Sequence, residues 1–125
     1  RVDLADGFDA GDLRVFVDCI RPRGTGVWVY FKVKAESDTE AFDAKKWKLM
    51  EIQTDTYSAD QHQLIELEFR PPHDKNGNIN YFENGISYPL GGKFKQFAFK
   101  IVLTAGDTTV TPTVTNFSAI ATPAG

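Results

Sequence analysis

The side chains that most often carry catalysis are scarce in this chain, which has two histidines and a single cysteine. His62 and His73 lie in or near polar stretches. A zinc site needs three or four ligands held together, more than these residues readily supply. Cys19 continues the apolar run of Leu13, Val15 and Val17, so it reads as a small buried hydrophobe and not as a nucleophile. Being alone, it forms no intramolecular disulfide. Glu66 and Glu68 share one face of a strand and mimic a glycosidase pair, but same-face acids on a wet sheet are ordinary. The chain has no glycine-rich phosphate loop, no serine in a nucleophile elbow, and no HExxH or CxxC. The expectation is a protein without catalytic residues or cofactor.

Two acidic stretches invite a cation. Asp3, Asp6, Asp9 and Asp12 recur at every third position, which is not a calcium-loop pattern, and read as a solvated turn entering the first long strand. Asp74, Asn76 and Asn78 begin like a calcium loop, but the sixth position is Ile79 instead of Gly and the twelfth is Gly85 instead of Glu. No metal site is expected. Arg21 and Arg23 flank Pro22 in turn chemistry; they suit an anionic partner, but the setting reads as a wet loop. The net charge is −3, with both signs spread along the chain, which argues against nucleic acid as a partner. No apolar run is long enough to span a membrane.

Recognition then falls to aromatic side chains. Trp28 and Tyr30 lie beside Lys32 and Lys34 on the outer side of a strand, where exposed rings stack on sugars or anchor a protein interface. Tyr81, Phe82 and Tyr88 lie in the least regular section, 71–93, a long excursion of the kind that often carries function.

The elements that must position these residues are strands. From Lys93 to Ala105, Phe97, Phe99, Ile101 and Leu103 alternate with Ala98, Lys100, Val102 and Thr104, the period of a strand with one apolar face. Leu13–Ile20 and Gly26–Ala35 keep the same period, and the five-residue turn between them reads as a hairpin. Trp47–Gln53 resumes strand character with both faces partly apolar. Leu64–Arg70 points Ile65, Leu67 and Phe69 inward. Pro71–Pro72 stops that ladder. Asn76-Gly77 and Asn84-Gly85 signal tight turns around short strands. Val2 and Leu4 suit a short edge strand, Pro112 makes 110–114 an edge or a connection, and Asn116–Thr122 closes the chain. Bulky one-sided strands need a second layer. The expected fold is all-β: one antiparallel, jelly-roll-like β-sandwich of about seven or eight strands over residues 1–125.

Three segments together carry a resemblance: GFDAGDLRVFVDCIRPRGTGVWVYFKV, FDAKKWKLME, and ISYPLGGKFKQFAFKIVLTAGDTTVTPTVTNFSAIA. Their order resembles a module of tail and baseplate structural proteins of large contractile-tailed phages, T4-like marine phages in particular. The resemblance spans nearly the whole chain and rests on strands and turns, with no catalytic signature. It implies a piece of a larger virion protein, located in the virion and packed against other virion subunits, with room for a homo-oligomer. The rival expectation is a carbohydrate-binding module for a host surface polysaccharide, resting on the same aromatics. A third is an accessory domain of a larger hydrolase.

Overall fold

Alternation of apolar and polar residues produces long strands here, and the way their apolar faces meet decides the topology. The computed structural model describes residues 1–4, 9–35, 38–75, 77–83, 86–89, 93–106 and 111–123. Its strands are β1 (Val2–Asp3), β2 (Ala10–Ile20), β3 (Thr25–Lys34), β4 (Lys48–Leu49), β5 (Glu51–Ile52), β6 (Ile65–Arg70), β7 (Asn80–Glu83), β8 (Ile86–Pro89), β9 (Gln96–Ala105) and β10 (Thr113–Pro123), with one 3-10 turn at Phe42–Ala44. Two antiparallel sheets of four strands, ordered β1-β9-β3-β4 and β10-β2-β6-β5, pack face to face, and β7-β8 forms a separate hairpin. The expected all-β sandwich is therefore the fold, with eight strands in its two sheets.

Most of the core comes from the odd-numbered strand positions anticipated from the period, joined by Ala10, Met50 and Phe94. Leu13, Val15, Val17 and Cys19 of β2 are fully buried, and they meet Val27, Val29, Phe31 and Val33 of β3 together with Leu67, Phe69 and Phe97. Each such side chain contributes about 1.5–3 kcal/mol when withdrawn from water. Burial pushes the Cys19 thiol pKa up, Asp18 adding to the rise and Arg21 opposing it, which fits an inert thiol.

The expected hairpin between β2 and β3 does not form. β2 pairs with β10 and β6, while β3 pairs with β9 and β4. Both strands carry a fully apolar face, and those faces bury each other only if the chain crosses from one sheet to the other at the turn. Gly24 makes the crossing with φ of +84°. The end of β9 and the start of β10 lie alongside: Gly106 N–H donates to the Gly24 carbonyl at 2.9 Å, Ala105 stands opposite Thr25, and Thr113 opposite Ile20. Two antiparallel pairs, β2 with β10 and β3 with β9, thus lie in opposite sheets of the sandwich.

The strand expected over Trp47–Gln53 is likewise divided. β4 joins β3 in one sheet and β5 joins β6 in the other. Met50, 3% exposed, is the crossing point, and its N–H donates to the Val29 carbonyl. Arg21 is also not the wet-loop residue expected. It is 7% exposed; its guanidinium reaches the Asp55 carboxylate at 2.7 Å and the Thr56 carbonyl at 3.0 Å, and lies 4.1 Å from the Tyr57 ring centre. Arg23 stays exposed, 5.7 Å from the same ring.

Among the described residues, one long side of the sandwich is open. β1 covers the edge of β9 only at Phe97 and Gln96, and β10 is the last strand of its sheet. Burial along β9 therefore declines: Phe97 is buried, Phe99 and Ile101 are half-buried, and Leu103 is 44% exposed. Phe117 of β10 meets Phe99 edge-on at 5.7 Å, yet is 57% exposed.

Asp12 ties the start of β2 to the end of β6. Its carboxylate accepts from Arg70 Nη2 at 2.7 Å and lies 2.8 Å from His73 Nε2. Burial raises the Asp12 pKa, but the hydrogen bonds from Arg70, His73 and the Leu13 N–H outweigh it, and the net shift is downward. A carboxylate with a lowered folded-state pKa stabilises the fold above its unfolded value, about 3.9, and loses that contribution as pH falls through the folded value. Urea midpoints of the wild type should therefore drop below about pH 4 more steeply than those of Asp12→Asn. Parallel acid limbs would show that this tie contributes nothing.

Candidate functional site

With the odd positions of β3 turned inward, its even positions, Trp28, Tyr30, Lys32 and Lys34, form the outer face of the β1-β9-β3-β4 sheet. The register sets Val102, Lys100, Ala98 and Gln96 of β9 beside them, and Leu49 of β4 opposite Tyr30. The result is an apolar strip on an otherwise polar sheet: Trp28 is 45% exposed, Leu49 47% and Val102 36%, with Tyr30 half-buried among them.

Trp28 is fixed in place. Its Nε1–H donates to the Thr104 hydroxyl at 3.0 Å, and the indole folds back over Gly26. A Cβ at position 26 would stand 2.6 Å from Trp28 Nε1 and 2.4 Å from Thr104 Oγ1, so the ring sits where only glycine leaves space. Glycine serves here for close approach of the ring, whereas at Gly24 it serves the backbone angle.

A residue that sequence reasoning did not assign to the site completes the strip. Trp47, just before β4, receives the Lys32 ammonium at 4.8 Å and the Lys100 ammonium at 4.9 Å from its ring centre. Lys100 also lies 5.5 Å from the Tyr30 ring, and Lys32 lies 4.8 Å from Phe42. Such contacts are each worth about 0.5–2 kcal/mol, more where water is excluded, and Lys32 is only 9% exposed. The loop delivering Trp47 is braced by Lys45, which bonds Asp38 and also reaches Glu40 at 3.2 Å. The bond from Lys45 holds the Asp38 carboxyl below the usual carboxylate range, and the backbone N–H of Glu40 adds to it. Lysines and rings thus lock each other, leaving a preset surface of indole, aliphatic side chains and a cationic rim.

The other residues singled out from sequence are placed as follows. Tyr81, Phe82 and Tyr88 belong to the β7-β8 hairpin, where Tyr81 stands opposite Tyr88 and Phe82 opposite Ser87. Their side chains lie outside the described residues. Among the described residues, no strand pairing links this hairpin to the sheet that carries Trp28. Among the aspartates, Asp3 meets Arg1 and Gln96, Asp9 meets Lys95, and Asp12 meets Arg70 and His73; Asp6 lies outside the described residues. Asp74 accepts the Asn78 N–H at 3.0 Å and closes a turn through Gly77, which has φ of +82°; Asn76 and Gly85 lie outside the described residues. Among the described residues, no three His, Cys, Asp or Glu side chains gather where they would hold a metal ion. His62 is exposed, and Glu68 pairs with Arg14 at 3.6 Å. No helix among the described residues is long and apolar enough to cross a membrane.

Comparison with protein-family models, with curated proteins and with solved structures gave no match to this chain.

The seat of Trp28 is directly testable. In Gly26→Ala the indole and the Thr104 side chain must move, and both can, because they lie at the surface. The expected result is a shifted tryptophan emission maximum with a loss of less than about 1 kcal/mol of stability. An unchanged emission spectrum would show that the ring does not rest on Gly26.

Proposed function

We propose that this chain is a non-catalytic structural domain of a contractile-tailed phage particle, a tail or baseplate component, and that the outer β1-β9-β3-β4 face packs it against a neighbouring virion subunit. One observation carries the docking surface: Trp28 and Val102 stand exposed side by side, and exposed Leu49 lies beside Tyr30 on the same sheet face, which is otherwise covered by lysine–aromatic contacts. Preset aromatic and aliphatic anchors lose little conformational entropy on binding, and they dominate the energetics of protein interfaces. The assignment to a virion rests on the resemblance of the three long segments described above.

A glycan reading is favoured by the same fixed indole. A tryptophan pinned by Thr104 and backed by Gly26 offers a rigid apolar surface to the C–H face of a sugar, with Lys100 nearby for hydroxyl or acidic groups. Protein packing is preferred because Leu49 and Val102 extend the apolar strip without adding hydrogen-bonding capacity.

The test is particle assembly with a Trp28→Ala/Leu49→Ser double variant. Both side chains are exposed, so the melting temperature should stay within a few degrees of wild type. Incorporation into tails, read by immunogold labelling and quantitative blotting, should fall at least about tenfold, as expected for interface anchors. Normal incorporation would sink the packing role. Saturable quenching of tryptophan fluorescence by a host polysaccharide, lost in the variant, would transfer the surface to glycan binding.

A further inference from the structure

The open side of the sandwich is a different surface from the Trp28 strip. It ends in β10, whose outer edge has no strand beside it among the described residues. Long edges normally carry a charge that discourages pairing with another chain. The other three terminal strands of the two sheets do so: β1 has Asp3, β4 has Lys48 and β5 has Glu51. β10 is eleven residues long and has none, and no charged residue occurs anywhere from Thr108 to Gly125.

We infer that β10 is the self-association edge of this protein and that its occupant is β10 of a second copy, paired antiparallel about a two-fold axis. Charge selects this partner. When a strand pairs antiparallel with its own copy, charges near its centre are brought close to their equivalents, so a central charge opposes dimerisation. β10 meets no such penalty. β9 does, because Lys100 lies in the middle of that strand.

The shape of β10 sets the register. A bulge between Val114 and Asn116 interrupts its ladder with β2, and Thr115 Oγ1 turns back to the Asp18 carbonyl at 3.2 Å. A second irregularity falls between Thr122 and Pro123. The straight run is therefore 116–122, and its centre is Ala119. A two-fold axis at Ala119 sets Phe117 of each copy against Ala121 of the other, and Ile120 against Ser118. Large residues meet small ones, and inward positions meet inward positions. Phe117 and Ile120, 57% and 51% exposed in the single chain, are the two largest residues of the run. The pairing joins the two β10-β2-β6-β5 sheets into one sheet of eight strands and turns the open apolar sides, with Phe117 and Leu103, toward each other.

The test is sedimentation equilibrium of the full chain at up to about 100 μM, with a charge-reversal pair of variants. Wild type should sediment at twice the 14.0 kDa of one chain. Ser118→Glu/Ile120→Glu places like charges opposite each other twice; its dimer should weaken at least about tenfold. Both positions are exposed and Ile120 neighbours Arg14, so the fold should survive, checked by circular dichroism. Ser118→Lys/Ile120→Lys should weaken in the same way, and an equimolar mixture of the two variants should recover a dimer. A monomeric wild type overturns the inference and leaves the edge to another protein. So does a dimer indifferent to the Glu pair, a series of larger species, or a mixture that fails to recover.

Discussion

Everything in this fold depends on the burial of one face of β2 against one face of β3. Leu13, Val15, Val17 and Cys19 on one side and Val27, Val29, Phe31 and Val33 on the other are all sequestered from water. Strands paired edge to edge in one sheet would lay these residues side by side, and the joint face would still need a cover. Placed in opposite sheets, each face is the cover of the other. The short connection around Gly24 therefore becomes a crossing, and the remaining strands must recruit partners from far along the chain: β10 and β6 for β2, β9 and β4 for β3.

The surface features follow from that commitment. Because the odd positions of β3 are taken by the core, Trp28 and Tyr30 are forced outward, and the pairing of β3 with β9 and β4 assembles the strip around them. Because β9 and β10 are added on one side of the central pair, that side leaves apolar residues such as Leu103 and Phe117 exposed. The strip and the open edge are thus two consequences of a single packing decision. They occupy different parts of the sandwich: one is a sheet face, the other a sheet edge. A domain built this way can contact two kinds of neighbour at once.

Much of this was legible in the residues. Period-two alternation located the long strands within a few positions, assigned their inner faces and fixed the fold class, since that signal is local and survives in any tertiary context. Partner choice was not legible. A five-residue Gly/Pro turn serves equally a hairpin and a crossing between sheets, and the outcome depends on the apolar faces of both strands considered together. The same holds for 47–53, read as one strand with both faces partly apolar but divided between the two sheets. Arg21 looked like any turn arginine; its partners Asp55, Thr56 and Tyr57 are more than thirty residues away. Trp28 and Tyr30 were recognised as outward-facing from their spacing alone, whereas Trp47 was not, because it read as part of a strand apolar on both faces, while it stands just before β4.

Cross-strand nuclear Overhauser effects in a uniformly labelled sample test the central packing most directly. Face-to-face burial of β2 and β3 predicts backbone Hα–Hα and HN–HN contacts in the Val17–Phe117 and Val29–Ile101 registers. Between β2 and β3 it predicts contacts among inward side chains such as Val17 and Val29, with no backbone ladder. A regular series of backbone contacts linking Leu13–Ile20 to Gly26–Ala35 would place the two strands in one sheet and contradict the account.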